Sequence, residues 1–334
     1  MQLKLVTTEP TFLKPSVTIL TVHCETMDNQ TPNLQMSHLL HPIRVQEVVR
    51  EWLKEDTPSF DFGGFVVGEK EETAVLLCKS PGVIAGAPFF SAVFEELNCQ
   101  VEWLHPEGTF IDPSLDGPQT VATITGKVRH LLLGERVALN CITRSSGIAS
   151  QARRLAQSGK DADWHGQVAG TRKTTPGFRM VEKYALLVGG MATHRHDLSS
   201  MIMLKDNHIW TAGDIPKAVS AAKSVGGFST KIEVECRSVE EGKQAASAGA
   251  DVVMLDNFAP LTLHKAAQQL KEAFPHIIIE SSGGITESTL KDYMGPYIDI
   301  ISLSRVTQGY DVVDFSFKIR SNLHDPANPL VKQL

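Results

Sequence analysis

GTRKTTPGFRMVEKYALLVGGMATHRHDLSSMIMLKDNHI (Gly170–Ile209) sets Arg172, Lys173, His194, Arg195 and Lys205 between short apolar runs. Gln167–Ala169 and Met201–Leu204 read as buried strands, and in each case the charge arrives where the apolar run stops. Isolated buried charge is costly unless paired. Strands that end in Arg-Lys or Lys-Asp-Asn-His therefore aim that charge at something. One reading is an ion-pair network at a sheet edge. The sharper one is a pocket for a small, strongly anionic ligand.

Working outward, apolar strands alternate with amphipathic helices after Gly159, at intervals of roughly 20 to 30 residues. The strands are Gln167–Ala169, Ser200–Leu204, Lys231–Val234, Asp251–Leu255, His276–Ile279 and Asp299–Leu303. The helices are Gly177–Val188, Asp214–Val225, Val239–Ala248, Pro260–Phe274 and Thr286–Met294. Asp214 and Thr286 suit N-caps, and Gly226 and Gly249 follow helix ends as C-caps do. Six βα units in succession predict parallel strands joined by helices. The chain reads as α/β, with residues 151–309 forming a βα barrel, closed or incomplete at six to seven parallel strands. An open doubly wound sheet is the second arrangement. No G-x-G-x-x-G follows the first strand, which counts against a dinucleotide site.

Upstream, Pro42–Glu55 carries apolar residues at helical spacing with proline in its first turn. Thr73–Cys78, Gln100–Leu104 and Val121–Val128 read as strands, and Pro88–Leu97 as a helix opened by proline. This mixture lacks βα periodicity and predicts an N-terminal α+β sandwich domain over residues 39–150. Leu131–Gln157 is the longest helical pattern, with Arg136 after Glu135 inside an otherwise apolar face. An arginine so placed pairs with its neighbour or snorkels to water. Val312–Ile319 alternates as a strand with no helix after it, so residues 310–334 are expected to return to the first domain. Residues 1–38 read as a poorly ordered extension.

A chain of 334 residues can bury one large or two medium cores. The formal charge of −6 argues against a general nucleic-acid binder. The cations above are then a local feature on an acidic background, which suits an anionic small molecule. Cys24, Cys78, Cys99, Cys141 and Cys236 are scattered without a C-x-x-C pair. That predicts reduced thiols in a cytoplasmic setting, and neither disulfides nor a zinc site. No apolar run is long enough to span a membrane, and residues 1–38 lack a secretory or transit pattern.

Every strand of the repeating half exits into polar residues. In order these are Arg172-Lys173, Lys205-Asp206-Asn207-His208, Glu235, Asp256-Asn257, Ser281-Ser282-Gly283-Gly284, and Ser302 with Ser304. Barrel active sites are built at the carboxyl ends of strands. Solvated loops account for some of this charge, but the division goes further: cations first, carboxylates next, Gly/Ser turns last. Glu235 and Asp256 are hard oxygen donors suited to Mg²⁺ or to ribose hydroxyls. Glu233 either supports them or pairs inside the barrel with a cation such as Lys205. Gly283 and Gly284, before a helix expected to begin near Thr286, leave backbone N–H groups free for a phosphate. Such a pocket takes an acid on its cationic side, a metal and sugar in the middle, and a monophosphate at the far end.

TRKTTPG (Thr171–Gly177), the His194-Arg195 pair and KDNH (Lys205–His208) resemble the quinolinate phosphoribosyltransferases, the carboxylating nicotinate-nucleotide pyrophosphorylases. The resemblance runs from about Leu39 to about Lys318 and is nearest to the animal members. It implies a cytoplasmic pentosyltransferase that joins quinolinate to phosphoribosyl pyrophosphate with Mg²⁺. The products would be nicotinate mononucleotide, pyrophosphate and CO₂, in NAD biosynthesis. It further implies Arg172, Lys173, His194, Arg195 and Lys205 around quinolinate. Glu135–Asn140 (ERVALN) resembles the helix segment whose arginine reaches a neighbouring subunit's site, so Arg136 would act across a homodimer, itself able to build a hexamer. Lys173, Lys205, Glu235, Asp256, Ser282, Gly283, Gly284 and Ser304 are implied for the phosphoribosyl donor. Lys173, Lys205, Glu235 and Asp256 carry the catalytic expectation, the two acids also as metal ligands, directly or through water.

Two other classes fit parts of the pattern: a Schiff-base lyase using Lys205, and a non-catalytic ligand-binding homologue. Nicotinate is the rival acid. The family usually has glycine in a motif like I-S-M/L-G, where this chain reads Ile301-Ser302-Leu303-Ser304-Arg305. Ser304 adds a side chain where a backbone donor would approach phosphate closely. Activity is expected to persist with weaker donor binding. A Ser304→Gly variant should therefore show a lower Michaelis constant for phosphoribosyl pyrophosphate, and equal constants in a steady-state assay would remove the idea.

Overall fold

Two apolar patterns of different period build two sheets, and the computed structural model describes them over residues 35–320. The expected N-terminal extension lies outside the described residues as far as position 34. The first half runs α1 (Pro42–Asp56), α2 (Phe62–Val67), β1 (Glu71–Cys78), β2 (Gly82–Val83), α3 (Ala87–Glu96), β3 (Gln100–Trp103), β4 (Phe110–Ile111), β5 (Gln119–Lys127) and α4 (Val128–Asp161). The barrel half runs β6 (Gln167–Gly170), α5 (Arg179–Val188), β7 (Ile202–Leu204), α6 (Asp206–Ala212), α7 (Ile215–Gly226), β8 (Ile232–Cys236), α8 (Val239–Ala248), β9 (Val252–Asp256), α9 (Pro260–Ala273), β10 (Ile278–Ser282), α10 (Leu290–Tyr293), β11 (Ile300–Leu303) and α11 (Arg305–Gln308). A last strand, β12 (Phe315–Ile319), follows.

The first sheet is antiparallel in the order β12-β1-β5-β3. Both faces of β1 are covered, so from Ala74 to Cys78 every residue is buried. α3 contributes Phe89, Phe90 and Phe94 to this core, and Phe94 stacks on Phe317 of β12 with centroids 5.4 Å apart. β12 thus returns the chain to β1, with Ala74 opposite Ile319.

α4 runs unbroken for 34 residues, past both ends of the helix expected over Leu131–Gln157. Its first half places Leu131, Ala138 and Ile142 in the antiparallel-sheet core, and its second places Ile148, Ala152 and Leu155 in the barrel core. The boundary expected at residue 150 therefore falls inside a helix that two cores share.

The second sheet is wholly parallel, in the order β6-β11-β10-β9-β8-β7, and β6 and β7 do not pair with each other among the described residues. The barrel is incomplete, with six strands. Ala192 occupies the free edge of β6 in a parallel bridge to Ala169. Gly170 N donates to Ala192 O and Ala192 N to Val168 O, both at 2.9 Å. The period of two along each strand sends Val234, Cys236, Val253, Leu255 and Ile279 into the apolar core, and Glu235, Asp256, Glu280 and Ser282 toward the interior cavity.

Two local expectations change. The helix expected over Thr286–Met294 is confined to Leu290–Tyr293, because the Thr289 hydroxyl accepts from Thr286 N at 3.0 Å and closes a turn there instead. Conversely, α6 begins directly after Lys205, whose N–H donates to His208 Nδ1 at 3.1 Å. Removing the stacked ring of Phe94 is expected to leave a cavity in the first core. Phe94→Ala should lose about 3–5 kcal/mol in urea unfolding, and a loss within error would contradict this packing.

Candidate active site

The exits of the six parallel strands enclose a cavity of about 710 Å³. Arg172, Lys173, His194, Arg195 and Lys205 line it on one side of the expected set. Glu235, Asp256, Ser282, Gly283, Gly284 and Ser304 line it as well. Arg136 does not. It is exposed on α4, outside its own chain's cavity.

Each side chain arrives there for a local reason. Thr171 N donates to Leu303 O at 3.1 Å, which carries Arg172 and Lys173 beside β11. Thr307 Oγ1 on α11 then donates to Lys173 O at 2.8 Å. His194 has φ +53°, a left-handed backbone uncommon outside glycine. In that conformation Arg195 N donates to His194 Nδ1 at 2.7 Å, so the ring proton sits on Nε2 and points at Glu280 Oε2, 3.0 Å away.

The cationic side is under electrostatic load. Burial, then the charge of Arg172, push Arg195 below the usual guanidinium value, while Glu233 and Glu280 oppose the shift. Arg172 Nε is buried without a hydrogen-bond acceptor. Adjacent guanidiniums with an unfilled donor suit an anion with two carboxylates.

Lys205 forms its ion pair with Glu235. Glu233 thus has neither the Lys205 partnership nor the supporting ligand place that strand patterning suggested. It is fully buried, does not line the cavity, accepts no hydrogen bond and lies 3.7 Å from His194 Nε2. An ammonium engaged by a carboxylate offers no lone pair for a carbonyl, which counts against the Schiff-base alternative. Glu280 is a residue that sequence reasoning passed over. The strand expected at His276–Ile279 stops one position short of it, although an acid ending an isoleucine run is a readable signal. Buried Lys183 on α5 is a second omission.

Across the cavity, Gly283 and Gly284 have φ +101° and +65°. A Cβ on Gly283 would stand 2.3 Å from Asn257 Oδ1 and 2.9 Å from Asn257 N, so no side chain fits. Successive glycines of this kind present N–H groups to a phosphate. The expected helix N-terminus at Thr286 contributes nothing, since no helix starts there. Asn257 Nδ2 donates to Asp256 Oδ2 at 2.6 Å. Ser304 has φ −95° and ψ −24°, open to any L-residue, so its difference from glycine lies in the added side chain.

Residues 60–146 match the N-terminal domain of quinolinate phosphoribosyl transferase, and residues 148–318 match its C-terminal domain. The chain belongs to the quinolinate phosphoribosyltransferase family. It is 51% identical over 281 residues to the human nicotinate-nucleotide pyrophosphorylase (carboxylating), covering 84% of this chain and 93% of that one. The enzyme of that name from Dictyostelium discoideum is 49% identical over 298 residues, covering 86% and 99%. Among solved structures, NadC from Streptococcus pyogenes superposes with a TM-score of 0.76 at 34% identity, covering 84% of this chain and 98% of that one. The nicotinate-nucleotide pyrophosphorylase from Francisella tularensis gives 0.77 at 30% identity, covering 86% and 100%. No described helix of the chain is long and apolar enough to cross a membrane.

Beneath the cavity, burial and then the charge of Glu280 hold Glu233 far above the usual carboxylate range, against the pull of Arg195 and Lys205. Unfolded, this carboxyl titrates near about 4.3. Folding therefore takes up a proton above that pH, and the associated stability is lost as pH rises toward the folded value. Glu233→Gln has no proton to take up. Measured in metal-free buffer, it should gain on the wild type by on the order of 1 kcal/mol per pH unit between about pH 5 and 8. A difference independent of pH would contradict the buried, protonated state.

Proposed function

We propose that this chain transfers the phosphoribosyl group of phosphoribosyl pyrophosphate to quinolinate, releasing pyrophosphate and CO₂ and forming nicotinate mononucleotide. The observation that carries this reading is one cavity with guanidinium, imidazole and ammonium groups on one side and two carboxylates and a Gly-Gly turn on the other. The names of the relatives agree with it.

Arg172 and Arg195 grip the two carboxylates of quinolinate as forks, relieving their mutual repulsion. Lys173 and Lys205 neutralise carboxylate and pyrophosphate, and His194, held by Glu280, completes the wall. The Gly283-Gly284 turn, with Ser282 and Ser304, takes the donor's monophosphate. The pyridine nitrogen then forms a bond to the anomeric carbon as the bond to pyrophosphate breaks. Positive charge developing on the sugar is stabilised by Glu235 and Asp256. The ring nitrogen, now cationic, stabilises the electron pair left on the adjacent ring carbon when its carboxylate departs as CO₂, and water returns a proton to that carbon. Position and charge do the chemistry; no side chain needs to shuttle a proton.

Mg²⁺ fits the acidic side. Glu235 and Asp256 offer hard oxygen donors on adjacent strands. Burial and then Glu235 hold the Asp256 carboxyl above its usual range, a condition that a divalent cation relieves. When bound, the ion supplies charge neutralisation to pyrophosphate.

Arg136, exposed on α4, is read as a donor to the cavity of a partner subunit in a homodimer, with a hexamer as a higher assembly. A cytoplasmic location is supported by Cys78, Cys99, Cys141 and Cys236, all buried and unpaired. The test is nicotinate mononucleotide formation with each acid, with and without a chelator. Product should require quinolinate and Mg²⁺. Nicotinate, lacking one carboxylate and its charge-assisted bonds of about 1.5–3 kcal/mol each, should react at least roughly tenfold more slowly. Equal rates with the two acids would remove the dicarboxylate assignment.

A further inference from the structure

Lys183 is 2% exposed and sits on α5, behind the cavity wall. No ion pair to it occurs among the described residues. Its ammonium donates instead to two backbone carbonyls, Gly170 O at 2.8 Å and Thr193 O. Gly170 immediately precedes Thr171-Arg172-Lys173, and Thr193 immediately precedes His194-Arg195. The two segments that carry the acid-binding cations are therefore stapled together by one side chain. α5 comes this close because residue 170 has no side chain: a Cβ there would stand 2.3 Å from Leu186 Cδ1. The Ala169–Ala192 bridge joins the same two segments one step earlier, and Lys183 continues that join past the end of the sheet.

A buried ammonium without an acid partner is an expensive way to satisfy two carbonyls. Burial, then Arg179 on its own helix and Arg172 from the β6 exit, push Lys183 down to about 8; Glu182 on α5 opposes this and Arg195 adds to it. At neutral pH the chain thus keeps a positive charge directly behind two guanidiniums. That field favours an anion in front of them.

We propose that Lys183 is a positioning residue for the acid half of the cavity, fixing the Arg172 and His194 segments to each other and adding a buried positive charge behind them. The proposal rests on the quinolinate reading above, and it concerns a group that does not line the cavity.

The experiment compares wild type, Lys183→Met and Lys183→Arg as full chains, in steady-state kinetics with quinolinate, phosphoribosyl pyrophosphate and Mg²⁺ across about pH 6.5 to 9.5. In the wild type the Michaelis constant for quinolinate should rise on the alkaline side, with a midpoint near about 8 as Lys183 loses its proton. Lys183→Met should raise that constant roughly tenfold at neutral pH, without the alkaline step, while kcat and the donor constant change far less. Lys183→Arg keeps the charge and should lack the step. A folded Lys183→Met with the wild-type quinolinate constant, or a Lys183→Arg that retains the step, overturns the proposal. A general packing role would instead weaken both substrates alike and leave the step in place, which also overturns it. Should Lys183→Met fail to fold, the arginine variant decides. Calorimetric titration with quinolinate alone reads the same pH step without turnover, so a wild type that binds quinolinate but releases no pyrophosphate defeats the functional reading and still decides this one.

Discussion

Arg172 and Arg195 both make it harder for Lys183 to stay protonated, and Arg172 does the same to Arg195. The remaining structure can be understood as what holds such groups together before any anion arrives. Side chains on a flexible loop would swing apart to lower this repulsion. Here they are anchored to strand ends, a bridged edge and a packed helix, so the strain persists as affinity for negative charge. Glu280, buried at the cavity wall beside His194, offsets part of it.

The incomplete barrel supplies that anchoring. Parallel strands end on one side, so residues far apart in the chain converge at their carboxyl ends. The gap between β6 and β7 is where the His194-Arg195 segment enters, along the edge that a closed barrel would have filled. His194 then leaves the extended conformation, with φ +53°, and turns its ring to Glu280. α4 binds this arrangement to the antiparallel sheet by lending one half of its length to each core, so the first half of the chain braces the half that holds the cavity.

The acidic side works by a different device. Gly283 must lack a side chain because Asn257 fills the space, and Asn257 in turn restrains Asp256. One glycine thus shapes a tight turn and leaves room for the asparagine that restrains a carboxylate. Lys205 faces this side, paired with Glu235, and links the two halves of the cavity.

Much of this was legible in the chain itself, wherever the signal was local. Charge at the end of an apolar run revealed Arg172, Lys173, Lys205 and Asp256, and alternation of strand and helix revealed the parallel sheet, because each strand or helix is read from residues close together in the chain. The partnership of His194 with Glu280 spans 86 positions, and a helical lysine reads as solvated until the fold buries it against Gly170 and Thr193. Glu233 without a hydrogen bond, the turn at Thr286 and the passage of α4 through the expected boundary were likewise beyond local reading. Sequence determined which elements form and which groups they carry to their ends, because period and propensity act on neighbours. Tertiary structure alone decided which charges are buried, which are paired and which are left waiting for a ligand, because desolvation and Coulomb energy depend on distances that only the closed fold sets.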